Sequence, residues 1–423
     1  MEAHALNVIY FRAHDTDNTN RILKAGPDAR CQASVVIPVC NEEEHLPSCL
    51  QALASQSLAH HLYEVIVLLN NCTDSSARIA RQFQQAHPTL ALHPIELWLP
   101  KNQANVGTAR RLLMEEASRR LPASGAILST DGDTVVEHDW VERNLDCLNK
   151  GADAVGGDIS LHRDSYAKLP ATSRRQYRED HSYLEAVTRL ESILDPDPFD
   201  PWPRHHHHFG ASLACTNSLY TRLGGLPKAD CLEDVAFVNA MGLADARLRH
   251  SPAVKVVTAA RTSGRARIGL ASQLREWHAA HADPLVNTAA FLTEYFVCRA
   301  ELRAIWKAGT LMEDGNLQAL ATQLGMDRKS LRTLADGATT FGNLLEALDL
   351  RGRKWRRADP LRRVGKRSRV TEQIGLLIRS LLSAKHQSGI ALPGFRSQGS
   401  THDALENIHA PDLPWRDSLE QMA

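Results

Sequence analysis

Residues 63–71 have the sequence YEVIVLLNN, which is apolar enough to predict a β-strand buried on both faces. The polar residues 71–76 that end this run are typical of a helix N-cap, and ARIARQFQQA (77–86) has the pattern of the helix that follows. Upstream, SVVIPV (34–39) predicts another strand, and polar residues 41–44 and a helical spacing of leucines come after it. The chain therefore passes twice from strand to helix through a polar turn.

Two more strands continue this alternation. LALHPIELWLP (90–100) predicts a strand, and a loop with Asn105 leads from it to a helix over 109–121. GAILSTDGDT (125–134) predicts a strand that runs directly into carboxylates. Alternating strands and helices with short links predict an α/β fold with a mostly parallel sheet covered on both faces.

Polar residues stand at four predicted strand ends, where α/β sheets bind their ligands. Taken singly, each is a common turn or cap residue, but together they predict a ligand site. They are Asn41 with Glu42, the run Asn70 to Asp74, Asn105, and Asp131 with Asp133.

Composition sets wider limits. The chain has 423 residues, 43% of them apolar, with 49 basic and 49 acidic side chains. This predicts one large domain with an appended element, and gives no reason to expect a nucleic-acid or membrane partner for the whole protein.

The N-terminus lacks the pattern of a signal peptide, and no run approaches the roughly 18 apolar residues of a membrane span. Eight scattered cysteines without a metal or redox spacing predict reduced thiols in a cytoplasmic protein.

The triplet Asp131-Gly132-Asp133 is the sharpest local feature. Two carboxylates one residue apart can address one cation if the chain turns at Gly132. Mg²⁺ and Mn²⁺ prefer oxygen ligands and bridge carboxylates to substrate phosphates. Exposed turns often contain such a triplet, but its place after a buried strand predicts a site for Mn²⁺ or Mg²⁺.

Glu233 and Asp234 form a second acidic pair at the start of a helical pattern. One explanation is that acids at a helix N-terminus complement the helix dipole. The other is a general base that takes the proton from an attacking hydroxyl.

The order of these motifs over residues 33–260 resembles family 2 glycosyltransferases. The resemblance rests on Ile37-Pro38-Val39-Cys40-Asn41-Glu42-Glu43, Asn71 to Asp74, Asn105-x-Gly107-x-Ala109-Arg110, Asp131-Gly132-Asp133 and Glu233-Asp234. It implies a GT-A fold and a metal-dependent, inverting transfer of a sugar from a nucleotide-diphosphate sugar donor to an acceptor hydroxyl.

The resemblance also implies a role for each matching residue. Asp133, with Asp131, would bind the metal, and Asp234, with Glu233, would be catalytic. The implied donor-binding residues are Pro38, Asn41, Glu42, Asn71, Asp74, Asn105, Arg110 and Asp131. Residues 273–277, QLREW, miss the Gln-x-x-Arg-Trp motif of processive synthases by one residue, which favours a single transfer over polymer synthesis.

Two further segments have open roles. Arg265 and Arg267, in a glycine-containing loop that begins at Arg261, are suited to gripping donor phosphates, although an exposed basic loop explains them equally well. The run His205–His208 could complete a metal site, contact an acceptor or form a polar loop, and His278 is another candidate metal ligand.

We expect the domains to be an N-terminal arm (1–32), a catalytic domain (33–283, with halves 33–160 and 161–283), a helical extension (284–387) and a loosely ordered tail (388–423).

Two alternative functions remain. One is a sugar-phosphate nucleotidyltransferase, which the acidic residues after the first strand disfavour. A DNA-binding protein is another, because 317–334 has helix-turn-helix spacing and 351–369 is strongly basic. The basic run could instead make peripheral contact with a membrane.

Overall fold

The computed structural model describes residues 8–10, 23, 26–229, 231–262, 264, 268–279, 282–348 and 364–388. Contacts within the chain divide it into two compact units. The first comprises residues 1–174 and 203–279, and the second residues 175–202 and 280–423.

The first unit contains a large sheet with helices on both faces. Its strands are β1 Val8–Tyr10, β2 Ala33–Val39, β3 Tyr63–Asn70, β4 Ala91–Trp98, β5 Ala126–Ser129, β6 Thr134–Val136, β7 Ala154–Leu161, β8 Leu213–Thr216 and β9 Leu248–Thr258. Its helices are α1 Leu46–Ala54, α2 Ser76–Ala86, α3 Val106–Arg120, α4 Trp140–Asn149, α5 Arg163–Lys168, the start of α6 Ala171–Leu194, α7 Asn217–Arg222, α8 Glu233–Leu243 and α9 Leu270–Ala279.

The sheet has nine strands in the order β1-β4-β3-β2-β5-β8-β7-β9-β6. Five of the neighbouring pairs are parallel, and the three pairs β5–β8, β8–β7 and β9–β6 are antiparallel. Along β2, Val35 and Ile37 join one core cluster, while Val36 between them joins another. Alternate residues of a strand point to opposite faces, so the strand is buried on both sides, as its sequence predicts.

Strand direction gathers the chemistry at one edge of the sheet. Strands β2, β3, β4, β5, β7 and β9 run the same way, so their carboxyl ends share that edge. The antiparallel strand β8 begins there, because Leu213 pairs with Ser129 at the end of β5. The edge therefore collects the residues that follow these strands and the segments that lead into β6 and β8.

The antiparallel pairing of β6 with β9 places Asp133 next to the end of β9. Thr134 is opposite Thr258 in the register, their hydroxyls are 3.1 Å apart, and Ala259 N–H donates to the Asp133 carbonyl at 3.2 Å. Arg261, three residues beyond Thr258, is thereby held beside the carboxylates that follow β5.

The second unit is mainly helical. It contains the remainder of α6, then α10 Ala289–Lys307, α11 Asp314–Leu324, α12 Arg328–Gly337, α13 Phe341–Ala347 and α14 Arg367–Ser388, with the short antiparallel strand pair β10 Leu285–Asn287 and β11 Val364–Lys366. Leu190 of α6, Phe296 of α10 and Ile374 of α14 share one apolar core. Buried Asp195 fixes these helices further by accepting hydrogen bonds from Arg299 and Arg303.

The predicted fold class is confirmed: the sheet is mostly parallel, helices cover both faces, and a helical C-terminal region follows. A tight turn at left-handed Gly325 joins α11 to α12, as the leucine spacing over 317–334 predicts. None of the eight cysteines forms a disulfide within the described chain. In the same part of the chain, no helix combines the length and hydropathy that crossing a bilayer requires. Most of the basic run, residues 351–363, lies outside the described residues.

Candidate functional site

The ends of β2 and β3 are joined by a network around Asn41. Its backbone is left-handed, with φ 56°, and its Oδ1 accepts hydrogen bonds from Thr73 N at 2.7 Å and Asp74 N at 3.3 Å. Asp74 in turn accepts from Glu43 N and Ser76 N, each at 3.0 Å. Two predicted donor-binding residues, Asn41 and Asp74, therefore order the polar segment that precedes α2. Pro38, a third, lies beside them in β2, opposite Leu68 of β3.

Two other predicted donor-binding side chains are used inside the fold. Asn71 donates to the Leu99 carbonyl and accepts from the Leu99 amide, both at 2.9 Å, and so ties the end of β3 to the end of β4. Asn105 caps α3 by accepting from Thr108 N at 2.8 Å. Both side chains shape the site edge through the backbone.

Arg110 is the hub of the site. This α3 side chain is only 4% exposed, and its guanidinium donates from Nε to Glu233 at 2.8 Å and from Nη2 to Asp131 at 2.7 Å. Its Nη1 contacts Ser129 and the Gly210 carbonyl. Burial lowers the pKa of Arg110, but Asp131 and Glu233 outweigh this and raise it above its ordinary value. Arg110 thus stays charged and links the two acidic motifs. The resemblance to family 2 implied a different role for it, contact with the donor.

Gly210 fits against Arg110 because it has no side chain. A Cβ there would lie 2.6 Å from Arg110 Cζ, so the loop can approach the guanidinium only with glycine at this position. The Gly210 amide donates to Asp234 Oδ2 at 2.8 Å. The loop before β8 therefore contacts the hub and the second acidic pair together.

Glu233 and Asp234 begin α8 but have different environments. Glu233 is buried and paired with Arg110, whereas Asp234 is half-buried and, within the described residues, accepts its hydrogen bonds from backbone amides, from Gly210 N and from Val235 N at 2.8 Å each. The preceding residue, Leu232, is 41% exposed and left-handed with φ 57°. A non-glycine residue in this region is strained, and such strain clusters at functional sites.

A second arginine faces the metal triplet. Arg261 makes a bidentate pair with Glu42, with distances of 2.6 and 2.9 Å, and an ion pair with Asp133 at 2.7 Å. The triplet closes a turn in which Thr134 N donates to the Asp131 carbonyl at 3.1 Å. Gly132 is not left-handed in this turn; a Cβ there would lie 3.0 Å from Val39 Cγ2, so a larger residue fits only if that side chain shifts.

The carboxylates around Asp133 carry a surplus of negative charge. Burial raises the pKa of Asp133 to about 6; Arg261 opposes the rise, while Asp131 and Glu42 add to it. Asp131 remains partly exposed, at 34%. An oxygen-rich group with this charge balance fits a divalent cation, which Asp133 and Asp131 would hold.

The histidine run is packed beside Asp234. His205, His207 and His208 form ring contacts with one another or with His250, at centroid distances of 5.5 to 5.9 Å. Burial and His250 lower the pKa of His208 to about 4, while Asp234 opposes this shift. Burial likewise lowers the pKa of His205 to about 3. The lowered pKa keeps the His205 and His208 rings neutral near pH 7, and the whole run belongs to the site edge.

The remaining predicted residues divide by position. Arg265 and Arg267 lie outside the described residues. His278 is exposed and bonded to Thr172 Oγ1 at 3.2 Å. Ser129, Gly210 and the pairing of Arg261 with Glu42 were not predicted; the arginine-containing loop was the only sequence signal for any of them.

Three comparisons with known proteins bear on this geometry. Residues 34–200 match the model of the family described as glycosyl transferase family 2. A glycosyltransferase named AglE, from Haloferax volcanii, is 37% identical over 184 residues, which are 41% of this chain and 56% of the relative. The chain thus spans little more than half of that relative's length.

Solved structures with a similar outline include a mannosyltransferase from Pyrobaculum calidifontis in complex with GDP-Man and Mn²⁺, with 18% identity, a TM-score of 0.39, and coverage of 87% of this chain and 90% of that one. Another is TarS 1–349 of S. aureus in complex with UDP-GlcNAc, with 17% identity, the same TM-score, and coverage of 87% and 95%. Similarity at this level says nothing about the substrate of this chain. Residues 34–200 thus match glycosyl transferase family 2, and the similarity to the AglE glycosyltransferase supports the same family for this part of the chain.

Proposed function

We propose that this protein is a metal-dependent, inverting glycosyltransferase that moves one sugar from a nucleotide-diphosphate sugar to an acceptor hydroxyl. The observation that carries the proposal is the double pairing of Arg110 with Asp131 and Glu233. Because one guanidinium binds both carboxylates, the acidic triplet after β5 lies close to the acidic pair that begins α8. A transferase needs both groups in one cleft, one beside the donor and one beside the acceptor.

Asp234 is the proposed general base. Its two oxygens each accept one backbone amide, which fixes the carboxylate plane, while a carboxylate offers about four lone-pair positions. The positions left over can receive the proton of an acceptor hydroxyl as its oxygen attacks the anomeric carbon. The bond from that carbon to the diphosphate then breaks, and the nucleoside diphosphate leaves from the opposite face, which inverts the centre. Glu233 is a positioning residue, because its charge is committed to Arg110.

Asp133 and Asp131 are the proposed holders of Mn²⁺ or Mg²⁺, with Glu42 adding negative charge nearby. When bound, the cation would neutralise charge on the departing diphosphate. Arg261 is suited to contact the same phosphates, because its fork already matches a pair of oxygens in Glu42. Asn41 and Asp74 would line the nucleoside pocket, with the half-buried Pro38 beside them.

The proposal is tested by a donor screen that measures nucleoside diphosphate release with and without each cation. We expect release with one donor class, only when Mn²⁺ or Mg²⁺ is present, and a product of inverted anomeric configuration. If a metal chelator left the rate of nucleoside diphosphate release unchanged, the metal assignment would be contradicted. A retained configuration would contradict the single displacement, and repeated addition to one acceptor would contradict single transfer.

A further inference from the structure

Asp158, His205 and His207 come together at the site edge, away from the acidic triplet in sequence. Asp158 stands in β7 where the register with β9 shifts between Gly157 and Asp158. The two histidines lie in the loop that leads to Gly210 and β8. Each of the three residues offers one ligand atom, and these atoms all lie within 4.8 Å of one another. This is a compact set of two imidazoles and one carboxylate.

The contact between His207 and Asp158 has the spacing of two ligands on one ion. His207 Nδ1 is 3.1 Å from Asp158 Oδ1. Two ligands of a tetrahedral ion, with metal bonds of about 2.0–2.1 Å, are separated by about 3.3 Å. The pair is therefore already close to the separation that coordination requires.

The same nitrogen is in conflict when no cation is bound. Ile159 N–H donates to His207 Nδ1 at 3.1 Å. A neutral imidazole nitrogen is either a donor or an acceptor, so Nδ1 cannot both accept from Ile159 and donate to Asp158. If it accepts, no proton lies between Nδ1 and the Asp158 oxygen, and the two electronegative atoms repel each other. A cation bound by both side chains would relieve this repulsion, with the Nδ1 lone pair turned from the Ile159 amide to the ion.

His205 supplies the third group. Its Nδ1 accepts from His207 N–H at 3.1 Å, which ties the two residues together. Its Nε2 is buried and makes no hydrogen bond of good geometry with any described residue. An unsatisfied buried polar atom is costly, and heavy-atom positions fix neither the tautomer nor the flip of an imidazole. A flip of the ring can therefore turn its one available nitrogen lone pair toward an ion.

We propose that Asp158, His205 and His207 bind a transition-metal ion of the Zn²⁺ class, at a site separate from Asp131 and Asp133. Mixed imidazole and carboxylate ligands suit Zn²⁺, Co²⁺ or Ni²⁺ better than Mg²⁺. Three protein ligands leave the fourth tetrahedral position to water. The ion would fix the loop that ends in Gly210, whose amide bonds Asp234.

The test measures metal binding directly, with untagged, metal-free, full-length protein. Zn²⁺ is titrated in competition with a chromophoric chelator, and Co²⁺ is followed by its visible absorption. We expect one Zn²⁺ per chain and a tetrahedral Co²⁺ spectrum. His207→Gln, His205→Gln and Asp158→Asn should each weaken Zn²⁺ binding by at least about tenfold, the scale seen when groups around a metal site are removed.

Two variants serve as controls. His208→Gln changes the same histidine run outside the proposed ligand set and should keep wild-type affinity. Asp133→Asn should also keep Zn²⁺, which separates this ion from the donor cation. Circular dichroism verifies the fold of each variant, and Asp158→Asn carries the test if a histidine variant does not fold. The proposal is overturned if Asp158→Asn binds like wild type, if His208→Gln loses as much affinity as His207→Gln, or if Asp133→Asn abolishes binding.

Discussion

Arg110 and Glu233, which are 123 residues apart in sequence, form a buried ion pair of 2.8 Å in which both side chains are 4% exposed. The pair is extended by Asp131, which binds the same guanidinium. Two carboxylates on one buried cation leave a net negative charge, so removing the cation would leave Glu233 buried without a partner, next to the partly exposed Asp131. The geometry of both acidic motifs therefore depends on one arginine.

The first prediction concerns this dependence. Arg110→Met should lower the free energy of unfolding by about 3–5 kcal/mol, the usual cost of leaving buried charge without its partner. Arg110→Lys should recover only part of the loss, because an ammonium cannot reproduce the fork to Glu233 and Asp131. Urea unfolding measures both variants. A loss below about 1 kcal/mol, the scale of an exposed pair, would show that the network is not structural.

The second prediction tests whether Asp234 acts as the general base or only supports the structure of the site. Asp234→Asn should lower kcat by about 10²–10⁴-fold, the usual contribution of a general base, with the donor KM nearly unchanged. The amide keeps the shape and one carbonyl oxygen but cannot take a proton. Asp146→Asn, at an exposed acid of α4 paired with Lys150, is the matched control and should keep full activity. Undiminished turnover in Asp234→Asn would remove it as the base.

The positions of the strand ends could be predicted from the sequence, but the side-chain contacts between different strand ends could not. Apolar runs and helix caps locate β2 to β5 and the polar residues that follow, because those signals are local. The pairing of Arg261 with Asp133 depends on the antiparallel register of β6 and β9, which no periodicity encodes. The contacts of Arg110 depend on Gly210 and Glu233, which lie far from it in sequence and next to it in the fold. A position at a strand end thus shows that a residue is near the site, but not which partner it has.

The third prediction concerns pH and the proposed donor cation. A metal ligand must be deprotonated, and the metal-free pKa of Asp133 is raised to about 6. Mn²⁺ affinity should therefore be nearly constant above that pH and fall by up to about tenfold for each unit below it, as protons compete for the carboxylate. Titration calorimetry over this range measures the slope. Asp133→Ala should abolish cation dependence and donor binding; a slope that survives this change would assign the titration to another group.

The fourth prediction concerns acid stability of the sheet. Burial alone would raise the pKa of Glu64, but hydrogen bonds from His93, Arg120 and Ser34 outweigh it and lower the pKa from 4.5 to about 2. A depressed acid contributes stability that is present above pH 4.5 and is lost as the pH falls through 2. The full contribution is about 3 kcal/mol.

Comparison of urea unfolding near neutral pH and near pH 3 tests this contribution. Glu64→Gln should be less stable than wild type near neutral pH and should lose less stability on acidification. Glu115→Gln, which removes a more exposed acid paired with Arg111 on α3, should keep the wild-type pH dependence. An identical acid slope in Glu64→Gln and wild type would assign the effect to other carboxylates.

The fifth prediction uses two glycines with opposite surroundings. At Gly210 a Cβ would meet Arg110 Cζ and Nη2 at 2.6 Å. Since Arg110 is held by Glu233 and Asp131, it cannot yield without breaking those bonds. Gly210→Ala should therefore lower the free energy of unfolding by about 1–3 kcal/mol, because the site would be overpacked. It should also lower turnover, because the Gly210 amide that positions Asp234 would move.

Gly315 provides the matched control. At Gly315, in α11, a Cβ meets nothing within 4 Å, so Gly315→Ala should be neutral or raise stability by up to about 1 kcal/mol through helix propensity. Thermal or urea unfolding of both variants, with turnover measured in parallel, provides the comparison. If Gly210→Ala kept full activity, the loop would be free to shift without disturbing the base, and the coupling of Arg110 to Asp234 through this loop would have to be abandoned.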